Sequence, residues 1–205
     1  MILVKEFAMF AFHSTKNQIQ FLNCWQTAFA PKQLYFIYVP TAQQRRQICQ
    51  HYLNLFAQHH LSKQIGLITP QKAALLPYLS VEENILLNLN RGFTKKNRSW
   101  QRWQAAHPTN FFDKSPRDLT ASERFYVQLY RNLLIDKKFI LVDTNLAQEK
   151  PTTVQTLLTA LDRLVKTENC TLIFLTANTE LLASETQNRL THIPFFTAHQ
   201  KSLNS

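Results

Sequence analysis

The sequence predicts an α/β fold in which a mostly parallel central sheet is flanked by helices. Three continuous apolar runs, at 34–39, 139–142 and 171–176, have the length and composition of strands that are buried on both faces. Segments with apolar residues at helical spacing alternate with these runs. Because buried strands that alternate with amphipathic helices form crossover units, we expect one largely parallel sheet.

The remaining elements follow from local patterns. Apolar residues recur at helical spacing over 41–58, and Ser80 stands three positions before Glu83, a capping-box arrangement that predicts a helix at 80–89. Further helices are predicted at 119–134, from Pro151 onward and at 179–190. Additional strands are predicted at 2–12, 19–22 and 65–69.

The composition indicates a single globular domain. The chain has 205 residues, of which 45% are hydrophobic, and this is enough for one sizeable core. No apolar run approaches the roughly 20 residues that span a bilayer, so we expect a cytoplasmic protein. The three cysteines form no C-x-x-C pair, and the histidines at 51, 59 and 60 have no carboxylate or cysteine at a ligand spacing. Neither a disulfide framework nor a metal site is predicted.

The charge balance favours an anionic partner. The formal net charge is +10, which suits nucleic acid, an anionic membrane face or an acidic protein equally well. Within 95–104, several cations, Arg102 among them, are interleaved with Trp100 and Trp103. This pattern is typical of nucleic-acid stacking or of a membrane or protein contact, and a basic surface loop with inward tryptophans is the alternative.

Glycine is unusually scarce in this chain. Gly66 and Gly92 are the only two among 205 residues, against an ordinary share of roughly 7%. Phosphate-binding loops depend on glycine for positive φ and for close approach of the backbone. The composition therefore predicts that phosphate cradling has been given up.

Two segments carry a family resemblance. QKAALLPYLSVEEN, at 71–84, resembles the Q-loop region of the ATP-binding cassette (ABC) ATPases. LTASERFYVQLYRNLLIDKKFILVD, at 119–143, is similar without a gap to their signature helix and Walker B strand. The resemblance implies a P-loop NTPase-like ABC ATPase fold over 1–205, as one domain. A small helical subdomain would be inserted at about 72–118, and the β-subdomain would be reduced.

The resemblance also shows what has changed at the phosphate loop. Residues 39–47, VPTAQQRRQ, stand where the family has G-P-S-G-S-G-K-S-T, so every glycine is replaced. Arg45 takes the place of the lysine, and Arg46 that of the hydroxyl that holds Mg²⁺. If the loop kept its shape, residues with side chains would need positive φ at a cost of about 1–2 kcal/mol each.

The other family positions are changed as well. Thr144 stands at the position of the family's catalytic glutamate, and Ala177 at that of the switch histidine. Ala121 and Ser122 replace the two glycines of the signature motif. No catalytic residue is therefore predicted. The residual nucleotide-binding candidates are Phe12, at the place of an adenine-stacking ring, Arg45, Arg46, Gln71 and Asp143.

Each residual candidate also has a structural interpretation. Asp143 could hold Mg²⁺ or make a hydrogen bond at its strand end, and Gln71 could sense a γ-phosphate, contact the membrane partner or be a polar loop residue. Arg45 and Arg46 could bind phosphate at the helix N-terminus without the glycine loop, but solvated arginines are commoner. Phe12 is more typical of a core position than of a nucleotide platform.

Together these features predict a degenerate ABC ATP-binding-type subunit. It would be a non-hydrolytic structural or regulatory partner of a membrane permease, of a competent ABC ATPase or of both, as a hetero- or homodimer. It would lie at the cytoplasmic membrane face, with Trp100, Arg102 and Trp103 as the partner contact and with no cofactor. One alternative is a subunit that binds ATP and Mg²⁺ and completes a composite site. The other is a basic module that binds nucleic acid or an anionic surface.

Overall fold

The computed structural model describes residues 2–69, 75–87, 111–143, 151–179, 182 and 189–196, with side chains except at 2–14 and 151–154. The elements in chain order are α1 (Ile2–Ala28), β1 (Leu34–Tyr38), α2 (Ala42–Gln58), β2 (Ile65–Ile68), α3 (Val81–Ile85), α4 (Ala121–Leu134), β3 (Phe139–Asp143), α5 (Pro151–Thr167), β4 (Thr171–Thr176) and β5 (Arg189–Leu190).

The five strands form one sheet in the order β2-β3-β4-β1-β5, and every pairing is parallel. This confirms the predicted fold class. Strand β4 lies between β1 and β3, with Phe174 opposite both Phe36 and Val142. Because all strands run the same way, the carboxyl ends of β1, β4 and β3 meet at one edge of the sheet. No described residue belongs to an antiparallel strand, so the reduced β-subdomain has no counterpart in this part of the chain.

Helices cover both faces of the sheet. Alternate residues of β1 point to opposite sides, so Leu34 and Phe36 join one buried cluster while Tyr35 and Ile37 join the other. The first cluster includes residues of α3, α4 and α5, and the second includes residues of α1 and α2. The continuous apolar strands of the sequence are thus explained by burial on both faces.

The amino-terminal segment corrects the sequence prediction. The strands expected at 2–12 and 19–22 are wrong, because residues Ile2–Ala28 form one continuous helix of 27 residues. No glycine or proline interrupts the chain before Pro31, so nothing ends the helix earlier. Phe21, Trp25 and Phe29 recur every four residues and bury one helical face against the sheet, and this packing decides the conformation.

Trp25 is the centre of the packing between α1 and α2. Its side chain is fully buried, and its ring meets Tyr52 and Phe56 edge-on at centroid distances of 5.1 and 4.8 Å. On another side the ring of Phe195 stacks on it at 5.2 Å. The indole Nε1 finds no hydrogen-bond partner among the described residues, so this anchor contributes through apolar burial and ring contacts alone.

The carboxyl-terminal part corrects a second prediction. A helix was expected over 179–190; Thr179 and Leu182 are helical, but Arg189 and Leu190 form β5, which pairs with Phe36 and Ile37 of β1. Most of 180–188 lies outside the described residues. The open edge of β1 supplies backbone hydrogen-bond partners, and this pairing outweighs the local preference for a helix.

Gly66 is retained for packing. A Cβ atom at this position of β2 would lie 2.0 Å from Oδ1 and 2.8 Å from Cγ of Asn132 on α4, so a larger residue would displace that side chain. Asn132 is itself held in place, since its Nδ2 donates a hydrogen bond to the carbonyl oxygen of Gln128 at 2.9 Å. The placement of the Asn132 side chain therefore favours glycine at this position. Gly92 lies outside the described residues.

Candidate functional site

The connection from β1 to α2 is short. It consists of residues 39–41, and α2 begins at Ala42. Thr41 is the N-cap, with φ −108° and ψ 145°, and its Oγ1 accepts a hydrogen bond from the Gln44 N–H at 3.2 Å. The Arg45 N–H donates to the Thr41 carbonyl oxygen at 3.1 Å. Two of the early N–H groups of α2 are thus used within the chain.

The strain expected for a loop without glycine is avoided. Among the described residues, the non-glycine positions with positive φ are Lys32, His60, Asp136, Asn169 and Phe195, and none lies in the β1–α2 connection. Ala42 and Gln44, which align with two of the glycines, are in the first turn of α2 instead. The loop has not kept its shape: the segment forms a helical turn, which needs no positive φ.

Arg45 and Asp143 form a buried ion pair at the carboxyl edge of the sheet. Nε of Arg45 donates to Oδ1 of Asp143 at 2.7 Å, and each side chain is 9% exposed. Nη1 of Arg45 also donates to the Val39 carbonyl oxygen at 3.2 Å. Asp143 ends β3 and Val39 follows β1, so the guanidinium joins two strands that are not neighbours in the sheet.

This pair changes how the two family positions are interpreted. Arg45 is buried, so the solvated arginine expected from the sequence is wrong at this position, whereas Arg46 is exposed. The positive charge at the place of the phosphate-loop lysine is matched by the carboxylate at the place of the Walker B aspartate. The chain thus supplies both a cation and an anion where the family would hold nucleotide and metal.

Cys49 lies one helical turn after Arg45 on α2 and is buried. Burial, and then the nearby charge of Asp143, raise its pKa to about 12, although Arg45 acts in the opposite direction. The thiol is therefore neutral at physiological pH and is not a reactive nucleophile. Cys170 is buried in the same way, while Cys24 is exposed.

The signature segment has also become an ordinary helix start. Ala121 and Ser122, at the two glycine positions, are the first residues of α4. Thr120 and Glu123 form a capping box, in which the Glu123 N–H donates to Thr120 Oγ1 and the Thr120 N–H donates to Glu123 Oε2. Partial burial acts to raise the pKa of Glu123, but hydrogen bonds from Lys114 and Thr120 bring it below its usual value. The Glu123 carboxylate is thus held ionised, and it accepts the hydrogen bond that caps the start of α4.

A polar network that the sequence did not reveal fixes the segment after β2. The Gln128 side chain on α4 exchanges two hydrogen bonds with the backbone of Thr69, at 3.1 and 2.9 Å. Asn84 is fully buried, and its side chain bonds both the N–H and the carbonyl of Leu76. Arg131 of α4 donates to the Asn84 carbonyl oxygen at 2.8 Å. The only sequence signal for these roles is the presence of polar residues on an otherwise apolar helix face, and it does not name their partners.

The same network presents an exposed aromatic ring. Tyr78 is 78% exposed and lies in the turn between Leu76 and Ser80, where Asn84 Nδ2 also donates to the Ser80 carbonyl oxygen at 3.0 Å. The following helix α3 begins with a complete capping box of Ser80 and Glu83, as predicted from the sequence. A large apolar ring on such a restrained turn is a feature of contact surfaces.

Of the remaining predicted site residues, Ala177 has a described side chain and the others do not. Ala177 follows β4 and is partly exposed. Phe12 lies in α1, but its side chain is outside the described part of the chain. The positions outside the described residues altogether are Gln71, Trp100, Arg102, Trp103 and Thr144.

The described residues include neither a cluster of metal ligands nor a membrane-spanning helix. No group of three or more His, Cys, Asp and Glu side chains among them could hold a metal ion. None of the helices, as far as the chain is described, has the length and hydropathy to cross a membrane. His51 is engaged otherwise, with its Nε2 2.6 Å from the Phe195 carbonyl oxygen.

Comparison with known proteins identifies the class of fold. No protein-family model and no curated protein matches the chain. Among solved structures it is similar to cbiO1 from Clostridium perfringens, which is described as part of the ABC transporter complex cbiONQ. The TM-score is 0.61 at 14% identity, over 74% of this chain and 70% of that chain. The protein thus has the fold of an ABC transporter ATPase, as the sequence resemblance implied.

Proposed function

We propose that this protein is a degenerate ABC ATP-binding-type subunit that does not hydrolyse ATP. It acts as a structural or regulatory partner of a membrane permease, of a competent ABC ATPase or of both. The buried pair of Arg45 and Asp143 is the observation that carries this proposal. The two side chains neutralise each other at the positions where the family would use a lysine for phosphate and a carboxylate for Mg²⁺.

Electrostatics explain why nucleotide would bind poorly here. A phosphate needs unpaired donors and positive charge, but the Thr41 cap uses the Gln44 N–H and Asp143 neutralises Arg45. To enter, a nucleotide would have to break the buried pair, and loss of one partner of such a pair typically costs about 3–5 kcal/mol. Because the glycine loop is also absent, no cradle of backbone N–H groups offsets that cost.

The chemistry of hydrolysis lacks its groups as well. Thr144 replaces the glutamate that would polarise the attacking water, and Ala177 has no side-chain proton acceptor where the family has histidine. The fold itself does not depend on these groups, since the buried clusters on both faces of the sheet are formed by other residues. Retention of the fold without its catalytic groups supports a binding role.

The exposed turn at Tyr78 supports a role in assembly. Asn84 Nδ2 donates to the carbonyl oxygens of Leu76 and Ser80 in this turn, and Arg131 of α4 donates to the Asn84 carbonyl oxygen, so little ordering is needed before a partner binds. The similar cbiO1 structure belongs to a transporter complex, and by analogy the partner is a membrane permease at the cytoplasmic membrane face. Trp100, Arg102 and Trp103 are proposed to extend the contact.

The first test is nucleotide binding. Titration of the purified protein with ATP and Mg²⁺, followed by calorimetry and thermal shift, is expected to show no saturable binding up to about 1 mM, the upper end of typical substrate affinities. A competent ABC ATPase in the same buffer serves as the positive control. Micromolar binding by this chain would overturn the proposal and favour the subunit that completes a composite ATP site.

The second test is partner binding. If a neighbouring reading frame encodes a permease or an intact ABC ATPase, co-expression and affinity capture are expected to recover the complex. Tyr78→Ala should weaken it by at least about tenfold, since exposed aromatic anchors dominate such interfaces. Tyr38, 45% exposed at the end of β1, provides a matched control, and Tyr38→Ala should leave capture unchanged. Equal capture of both variants would exclude Tyr78 as a contact.

A further inference from the structure

The contacts of Arg45 resemble those of an anion-binding arginine. Its side chain is 9% exposed and belongs to the first turn of α2, where the helix dipole favours negative charge. The guanidinium carries five N–H donors, and its contacts within the described residues are made by Nε, to Asp143, and Nη1, to Val39. Of these two acceptors, the carboxylate of Asp143 carries the negative charge.

We propose that this carboxylate is a built-in occupant of an oxyanion site on Arg45, and that the site binds a free oxyanion once the carboxylate is removed. The inference rests on the proposed function, because it names what fills the position that nucleotide no longer uses. Asp143 is 98 positions from Arg45 in sequence, so the order of strands in the sheet, and not local structure, places its carboxylate beside Arg45.

Three physical features favour an oxyanion at this place. A guanidinium matches the planar geometry of a carboxylate or the face of a phosphate. Burial strengthens the attraction, since the effective dielectric constant is lower than in water. A buried arginine without a counter-charge is costly, so removal of the Asp143 side chain beyond Cβ leaves both a space and an uncompensated charge that a small anion can fill.

The test is chemical rescue of the Asp143→Ala variant. Its melting temperature is measured in sodium chloride, sodium formate and sodium phosphate at matched ionic strength. Formate has the size of the carboxylate that is removed, so it is expected to raise the melting temperature saturably, by about 3–6 °C more than in the wild type at a tenfold excess over its dissociation constant. Phosphate is the second probe and shows whether the site also accepts a larger oxyanion.

Two control variants separate this effect from general salt stabilisation. Asp162 forms an exposed ion pair with Lys166 at 2.6 Å, so Asp162→Ala makes the same chemical change without a buried cation. It is expected to respond to formate and phosphate like the wild type. The double variant Arg45→Met/Asp143→Ala lacks the cation and should lose the anion-specific shift.

Three results would overturn the inference. In the first, Asp143→Ala responds to formate no more than the wild type does. In the second, the double variant responds as strongly as Asp143→Ala. In the third, Asp143→Ala cannot be refolded in either formate or phosphate. This result would contradict the proposal, because either anion should occupy the open site on Arg45 and restore folding. Saturable ATP binding by the wild type would instead contradict the proposed function, so the two failures are distinguishable.

Discussion

Replacement of Trp25 by alanine is expected to lower the free energy of unfolding by about 3–5 kcal/mol, the range for a large aromatic removed from a core. Trp25 is fully buried, and six aromatic rings lie around it: Phe21, Phe29, Tyr52, Phe56, Phe139 and Phe195. The surrounding rings belong to several elements and cannot all move in to fill the space.

Urea unfolding followed by circular dichroism measures this change. Ile19 lies on the same helix and is 53% exposed, so Ile19→Ala is a matched control that should change stability by less than about 0.5 kcal/mol. If both variants were equally stable, the packing of α1 against the sheet would be wrong, and the strands predicted for this segment would need to be reconsidered.

Arg45→Met is expected to have a destabilising effect of similar size, about 3–5 kcal/mol, because it leaves the Asp143 carboxylate buried without its counter-charge. Methionine preserves much of the apolar stem of arginine, so the loss of charge dominates the change. Val39 also loses the donor to its carbonyl oxygen. Equilibrium unfolding in urea measures the effect.

The double variant Arg45→Met/Asp143→Leu tests whether the pair acts as a unit. Replacement of a buried ion pair by apolar residues of similar volume is often neutral, so the double variant should be more stable than Arg45→Met alone. Because each single variant, Arg45→Met or Asp143→Leu, leaves one buried charge unpaired, the expected coupling energy is at least about 3 kcal/mol, the upper end of the range for residues in contact. Stability changes that simply add would show that the two side chains do not interact in solution.

The central sheet could be predicted from the sequence because its strands carry their own signal. The runs at 34–39, 139–142 and 171–176 are apolar throughout, and only burial on both faces explains such a run. For the amino-terminal segment, in contrast, the local pattern led to a wrong prediction. Its Phe and Val residues favour a strand locally, whereas the packing of Phe21 and Trp25 against the sheet decides for a helix, and local composition does not contain that contact.

The candidate site could be predicted in part. The replacement of each glycine of the phosphate loop is visible in the aligned residues 39–47, and so is the position of Asp143. The ion pair was not predictable, because it joins residues 98 positions apart whose separation only the sheet order sets. The Gln128 and Asn84 networks were missed for the same reason, since their backbone partners are known only once the elements pack.

The early start of α2 makes the change at the phosphate loop difficult to reverse. Ala42 and Gln44 are helical, so a glycine introduced at either position would weaken the first turn by about 1 kcal/mol without creating a loop. A lysine at Arg45 would still face the carboxylate of Asp143 across the same short connection. A glycine loop like that of the family would therefore need several simultaneous substitutions, because a glycine at either helical position lowers stability on its own. The helical first turn of α2 therefore disfavours a return to the glycine-loop conformation through single substitutions.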